Sequence, residues 1–456
     1  MTASQLDLEA WHSRQMQQTR TGTGRTPLVV FAGCLAVLGS MHMLALPMFP
    51  AFVSCYAILL CVAFPKRTIS PLSFVYLYYA LWFVIAPAFA SRYSADLLLR
   101  SEYSLAFLCA YAGLGTCTMG CLAGENFAGR IPARKGIAQP RTIQRLPLIN
   151  GALFCICTGL VLAIVVSSGG ISVWMANPGD AFLNRAGSGV YVVASHFCSM
   201  VLALLCGHQA HRERRPGALL LFIVWLAMTS PVHGSKFQLV LLLTLSLIPW
   251  LRDLRPMSAR TVLLGGAFVA IFVLGLYFRN LTWIELETFL PYALNYFTAL
   301  ENLAISLRDF DPSWMQTFLL PFNKLLSPVG IPDQPFYFDM NHWLTDLYFP
   351  QAWKIRATEQ WPVETDLYLN FQFVYGLPLL FAYLFVLSAV HGHAQRQNSL
   401  GAWFAAFVLT LLLVSHLRGS LINHTDFYMY PFVATVYLLL RRVPIQHGRR
   451  TAPSRS

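Results

Sequence analysis

Apolar residues in this chain fall into long blocks of roughly 15 to 21, long enough as helices to cross a hydrocarbon core at about 1.5 Å per residue. Twelve blocks are predicted to span, near 28–47, 51–64, 71–90, 104–123, 148–167, 189–208, 217–232, 237–251, 261–278, 372–391, 402–417 and 429–440. The second, eighth and last are the shortest, and only Pro47 and Pro50 separate the first two. One long interruption breaks the pattern: residues 279–371 are polar and aromatic-rich. Within it, Trp283 to Leu307 reads as an amphipathic segment broken by Pro291, lying on a membrane surface. The predicted organisation is a tail at 1–27, spans one to nine over 28–278, a large loop at 279–371, spans ten to twelve over 372–440, and a basic tail at 441–456.

Composition supports this layout, because 56% apolar residues with 11% charged excludes ordinary soluble usage. Charge then orients it. With both termini on the inner side, the inner segments hold 22 of the 32 basic residues and five of the twenty acidic ones, a net +17 against −5 outside. Cytoplasmic loops collect Lys and Arg, so the termini are predicted to be cytoplasmic and the large loop periplasmic. The overall charge of +12 is thereby a membrane-orientation signal, and a nucleic-acid partner is not called for. Residues 1–26 are polar and basic, and the block that follows is too long for a signal peptide, so the first span is expected to be retained.

All ten cysteines lie in predicted spans of the first half, and none lies in the large loop. The pairs Cys117/Cys121 and Cys155/Cys157 lack zinc-site spacing and are read as small packing residues, so neither a disulfide nor a metal is predicted. Asp309-Phe-Asp311 has the Asp-x-Asp form of metal-dependent sugar-nucleotide transferases but is taken as a surface turn. No cofactor is predicted.

Three cations stand at outer span ends, where a charge near hydrocarbon costs roughly 2.5 to 3.5 kcal/mol. They are Lys236 in Pro231-Val-His-Gly-Ser-Lys236, Arg279 in Tyr277-Phe-Arg279-Asn280, and Arg418 in Ser415-His-Leu-Arg418-Gly-Ser420. Singly, each is equally a side chain reaching for lipid phosphates. As a set they suggest a cradle for a pyrophosphate. Glu364 and Asp366, in Pro362-Val-Glu364-Thr-Asp366 just before the tenth span, are candidates for a catalytic base, with Glu301 in reserve. His424 and Asp426 follow Arg418 in a short outer turn and are candidates for orienting the substrate. The loop aromatics suit both an interfacial belt and sugar stacking.

The run Gly234-Ser-Lys236 entering an apolar span that ends in Arg252-Asp253, the phrase Glu301-Asn-Leu-Ala304, the Pro- and Trp-rich loop and Leu417-Arg418-Gly419-Ser420 resemble the Wzy-type polysaccharide repeat-unit polymerases. The nearest likeness is to their enterobacterial common antigen branch. It covers roughly the second half of the chain, and Lys236 stands where the family pattern would have Arg.

The resemblance implies an all-α polytopic membrane protein of about 12 transmembrane helices, a membrane-embedded GT-C-like glycosyltransferase of the bacterial inner membrane. It further implies polymerisation of O-antigen, exopolysaccharide or capsule repeat units, with transfer of the growing glycan from undecaprenyl pyrophosphate to the sugar of another lipid-linked unit. Partners implied are undecaprenyl-pyrophosphate-linked glycans, membrane lipid, a chain-length regulator and a flippase. The alternatives are a lipid-linked oligosaccharide flippase, which would place charges at mid-bilayer depth, and an O-antigen ligase.

Overall fold

The computed structural model describes residues 25–89, 103–131, 140–176, 181–182, 189–233, 236–280, 294, 297, 299–326, 337–354 and 358–445. Among the described residues the chain is helical, with only isolated bridges at Trp314 with Phe371 and Ser399 with Pro444.

The first half forms α1 (Arg25–Met43), α2 (Phe49–Val62), α3 (Pro71–Phe89), α4 (Ser104–Arg130), α5 (Leu146–Ser167), the short α6 (Ile171–Ala176) and α7 (Gly189–Glu213). Then come α8 (Gly217–His233), α9 (Lys236–Ser246), α10 (Ile248–Leu251) and α11 (Ala259–Asn280). The polar interruption contributes α12 (Ala299–Asp309), α13 (Asn323–Leu326), α14 (Met340–Tyr348), α15 (Pro350–Lys354) and α16 (Val363–Phe371). Three apolar helices close the chain: α17 (Leu377–Gln397), α18 (Leu400–Leu417) and α19 (Asp426–Leu440).

Seven of these, α1, α3, α4, α5, α7, α17 (counted from Val374) and α18, are long and apolar enough to cross a membrane. The apolar helices α2, α8 and α19 are shorter. Their outward faces stay apolar, with Val29, Val166, Met228 and Leu263 more than two-thirds exposed. A surface of this kind is solvated by lipid, and the chain is a membrane-embedded helical protein.

Local chemistry sets the helix starts. Ser70 caps α3 by accepting the Ser73 N–H, followed by Pro71 in the first turn, and Ser399 caps α18 by accepting the Ala402 N–H. Asp339 caps α14 by accepting the His342 N–H at 2.9 Å. Gln372 and Phe373, both with positive φ, make the tight joint between α16 and α17.

The helices pack into two apolar cores. One joins α5, α7, α8, α9, α10, α18 and α19; the other joins α1, α2, α3, α4, α12, α16 and α17. α18 serves both, with Phe404 and Phe407 in the first and Leu413 and Leu417 in the second. The closest pairing is α4 against α17. A Cβ on Gly120 would lie 2.7 Å from the Phe381 carbonyl oxygen, and one on Gly124 would lie 2.3 Å from that of Phe385. This is small-residue packing, in which backbone approaches backbone because no side chain intervenes. Cys117 and Cys121, fully buried on the same helix, fill this second core as the sequence suggests. A third, smaller core of Met340, Leu344, Trp361 and Leu369 holds the polar interruption together.

Polar contacts between connectors separate into two groups. Arg67 donates to the Arg252 carbonyl and lies 3.6 Å from Asp253. Arg252 in turn donates to Asn398, Arg396 donates to the carbonyls of Gly129 and Ile131, and the Arg141 N–H donates to the Arg442 carbonyl at 3.0 Å. In the other group His42 meets Ser104 at 2.8 Å, Trp82 donates to Gln360 at 3.2 Å, and the Leu421 N–H donates to Asp366 at 3.0 Å. The first group joins segments predicted on the inner side, and the second joins segments predicted on the outer side.

Candidate functional site

α16 enters this second group with its first turn buried: Val363, Glu364, Thr365 and Asp366 are all sequestered. Acidic residues favour a helix N-terminus, where the macrodipole offsets part of the cost of burial. Glu364 is wholly buried, and the Tyr79 hydroxyl donates to its Oε1 at 2.5 Å while Oε2 has no partner. Gly113 makes room for it, since a Cβ there would lie 2.5 Å from that same Oε1. Tyr79 immediately precedes a π-helical stretch of α3, Ala80–Ile85. Such bulges re-aim side chains and recur at functional sites. Desolvation pushes the Glu364 carboxyl up to about 7, against the opposing pull of the Tyr79 bond.

Asp366 differs from its neighbour. Its Oδ2 accepts the Leu421 N–H at 3.0 Å and its Oδ1 accepts Asn370 Nδ2 at 2.8 Å, so both oxygens are committed. Burial raises its pKa to about 6 in spite of these donors. Asn370 extends the tie, accepting the N–H groups of Thr317 and Phe318 at 2.7 and 2.9 Å. Asp366 therefore joins α16 to the turn after α18 and, at 3% exposed, is buried there.

Arg418 caps the end of α18 and is half-buried. Among the described residues its guanidinium has no hydrogen bond or ion pair. Burial lowers its pKa and the neighbouring Tyr78 opposes that shift, while guanidinium remains charged at any physiological pH. Tyr78, whose buried hydroxyl is itself unpartnered, lies within electrostatic reach of both Glu364 and Arg418. The Arg418 carbonyl accepts Asn341 Nδ2 at 3.3 Å, which brings α14 alongside.

Comparison with protein-family models, with curated proteins and with solved structures gives no match.

α14 carries what the sequence alone did not single out. Asp339 Oδ2 lies 4.0 Å from His424 Nδ1, and Asp339 Oδ1 lies 3.8 Å from His342 Nδ1. His424, on the turn after Arg418, is partly accessible, and its Nδ1 is buried without a hydrogen bond. Its Nε2 is thus the nitrogen open to a ligand. Burial lowers the His424 pKa, Asp339 works against this, and His342 and Lys324 reinforce it. Around these groups stand aromatic faces: Phe338 is 5.5 Å from the His424 ring, Trp353 is 5.2 Å from His342, and Lys324 sits 4.8 Å over Phe338.

Asp426 does not share this cluster. It is buried and accepts from His416 Nε2 at 3.0 Å and from the Asn423 N–H at 2.8 Å. His416 Nδ1 is occupied by the Leu412 carbonyl and the Tyr383 hydroxyl, both at 2.9 Å. With both nitrogens engaged, this pair fixes the α18–α19 turn and has no site for a substrate. The sequence signal for it was a histidine inside an apolar run facing an acid in the next helix's first turn.

Glu301 lies in the first turn of α12, half-buried. Lys236 opens α9 and Arg279 lies in the last turn of α11, but their side chains lie outside the described residues. Of the predicted cradle, the geometry of Arg418 alone is described. Among the described residues no group of three or more His, Cys, Asp or Glu is placed to hold a metal ion.

Proposed function

We propose that this protein is a membrane-embedded glycosyltransferase that polymerises lipid-linked oligosaccharide repeat units. The observation that carries the reading is an arginine, Arg418, that has no counter-ion among the described residues and whose carbonyl is held by Asn341, in the helix that Asp339 caps. A desolvated guanidinium is suited to a pyrophosphate, which supplies the missing negative charge through charge-assisted bonds.

In this reading the chain crosses the inner membrane twelve times, with 279–371 on the periplasmic face. The separation of connector contacts into two groups supports that layout, as does the excess of basic residues on one of them. The donor is a glycan on undecaprenyl pyrophosphate, and the acceptor is a sugar hydroxyl on a second lipid-linked unit. A new bond forms between the donor's anomeric carbon and the acceptor oxygen while the bond to the pyrophosphate oxygen breaks. The acceptor proton passes to His424 Nε2, the bonding electrons leave with undecaprenyl pyrophosphate, and Arg418 holds the developing charge. Asp339, 4.0 Å away, stabilises the imidazolium by its charge. Trp353 and Phe338 offer apolar faces on which a pyranose can stack.

Glu364 has a suitable pKa for a base but no exposure, so its place in the mechanism is positional: through Tyr79 it shapes the wall behind Tyr78 and Arg418. The test is a glycan gel from a deletion strain complemented with Arg418→Ala or His424→Asn. Loss of the ladder with single repeat units retained supports polymerisation, and loss of both supports flipping or ligation. Normal ladders from both variants at normal protein levels would remove the proposal.

A further inference from the structure

At the opposite end of the molecule a shallow open cleft is lined by Arg141, Thr142, His208, His211, Arg212, Val443 and Pro444. Three of these come from the last turns of α7, where positions 208, 211 and 212 fall on one helix face by their spacing of three and four. Arg141 is brought opposite by the connector before α5, whose backbone is fastened to Arg442 at 3.0 Å.

Arg141 and Arg212 have no ion-pair partner among the described residues. The nearest carboxylate in sequence, Glu213, accepts from Gln209 at 3.1 Å. His208 is 4% exposed, and its Nδ1 has no hydrogen-bond partner. A buried, unsatisfied ring nitrogen is unfavourable unless something completes it. Trp250, 41% exposed, sets its ring edge-on to His211 at 5.3 Å. A half-exposed tryptophan next to a basic cleft marks the level of lipid headgroups.

We propose that this cleft binds the phosphate of an anionic phospholipid in the leaflet at this end of the molecule. Arg141 and Arg212 hold the phosphate oxygens, His208 contributes an imidazole hydrogen bond, and the acyl chains lie along Trp250. Basic clefts at the cytoplasmic ends of helices have the right charge and depth for such headgroups. The proposal is independent of the reaction at the other end.

The test uses the full chain in nanodiscs of phosphatidylcholine, titrated with cardiolipin or phosphatidylglycerol and followed by thermal unfolding and by lipid retention in native mass spectrometry. The parent gains a saturable rise in melting temperature and retains the anionic lipid. The exposed double variant Arg141→Gln/Arg212→Gln melts like the parent in pure phosphatidylcholine and binds the anionic lipid at least tenfold more weakly. His208→Gln, which keeps a side-chain N–H donor, gives an intermediate loss. Equal responses from parent and double variant, or none from either, overturn the proposal. A rise produced as well by inorganic phosphate alone overturns the lipid assignment in favour of a soluble phosphate ligand.

Discussion

At the residue scale the protein stores unusual protonation states in one small region. Glu364 titrates near 4.5 when free and near 7 when buried. Between those values the folded chain holds a proton that the unfolded chain has lost. Its contribution therefore favours folding most below about pH 4.5 and declines as pH rises towards about 7, flattening above that. Asp366 acts with the same sign in a lower window, from 3.8 to about 6. Melting curves of detergent-solubilised protein should fall in temperature from pH 5 to pH 7.5, and Glu364→Gln should flatten most of that slope. The change should be of order 3 kcal/mol at most, since each pH unit separating the free and buried carboxyl is worth about 1.4 kcal/mol. His424 moves in the opposite direction: burial keeps its imidazole neutral further into the acid range. Polymerisation should accordingly decline on an acid limb below the ordinary histidine range. His424→Asn should lower the rate about 10²-fold or more and erase that limb, measured on purified lipid-linked repeats. The His416–Asp426 pair offers a contrast. Asp426→Ala should lower stability by about 3 to 5 kcal/mol, because a buried partner is stranded, and a thermal melt should show this before any activity assay.

At the element scale the decisive contact is α4 on α17, because α4 also carries Gly113 behind Glu364 and α17 leads directly from α16. Gly124→Leu would force a side chain into the Phe385 carbonyl, where even a Cβ stands at 2.3 Å. Overpacking of this kind costs about 1 to 3 kcal/mol or more, so this variant should show a lower melting temperature and reduced yield. Gly159→Ala, with nothing within 4 Å of its Cβ, should melt like the parent. The same comparison separates packing from chemistry: Gly124→Leu should lower stability and activity together, whereas His424→Asn should lower activity alone.

At the scale of the whole molecule, two ends with different chemistry face away from each other. One carries the Arg67, Arg252, Arg396 and Arg141 contacts and the basic cleft; the other carries α12 to α16 and the Arg418 site. In a cysteine-free background, Asp311→Cys should react with a membrane-impermeant maleimide on intact spheroplasts, and Arg214→Cys should react only after the membrane is opened. Both positions are exposed, so burial does not confound the result. The reverse pattern would place the Arg418 site in the cytoplasm and remove the lipid-pyrophosphate reading with it.

By itself the sequence determined the membrane class and the approximate positions of the apolar helices, and it gave a charge-based expectation for which connectors share a side. These follow from transfer free energies and charge counts, which are properties of composition and order along the chain. It also picked out Glu364, Asp366, Arg418, His424 and Asp426, because charges at the ends of apolar blocks are conspicuous. It put Glu364 and Asp366 ahead as the base on their place next to the tenth span, without knowledge of their partners. Only the tertiary structure decided that Asp366 and Asp426 spend their oxygens on the protein, that Glu364 is sealed behind Tyr79, that Arg418 has no counter-ion among the described residues, and that Asp339 stands 4.0 Å from His424. Tyr78 and Tyr79 read as ordinary span residues, and Asp339 as one loop acid among many. Which donors meet a carboxylate depends on contacts between residues hundreds of positions apart, such as Tyr79 and Glu364, and hydropathy and spacing hold no record of those distances.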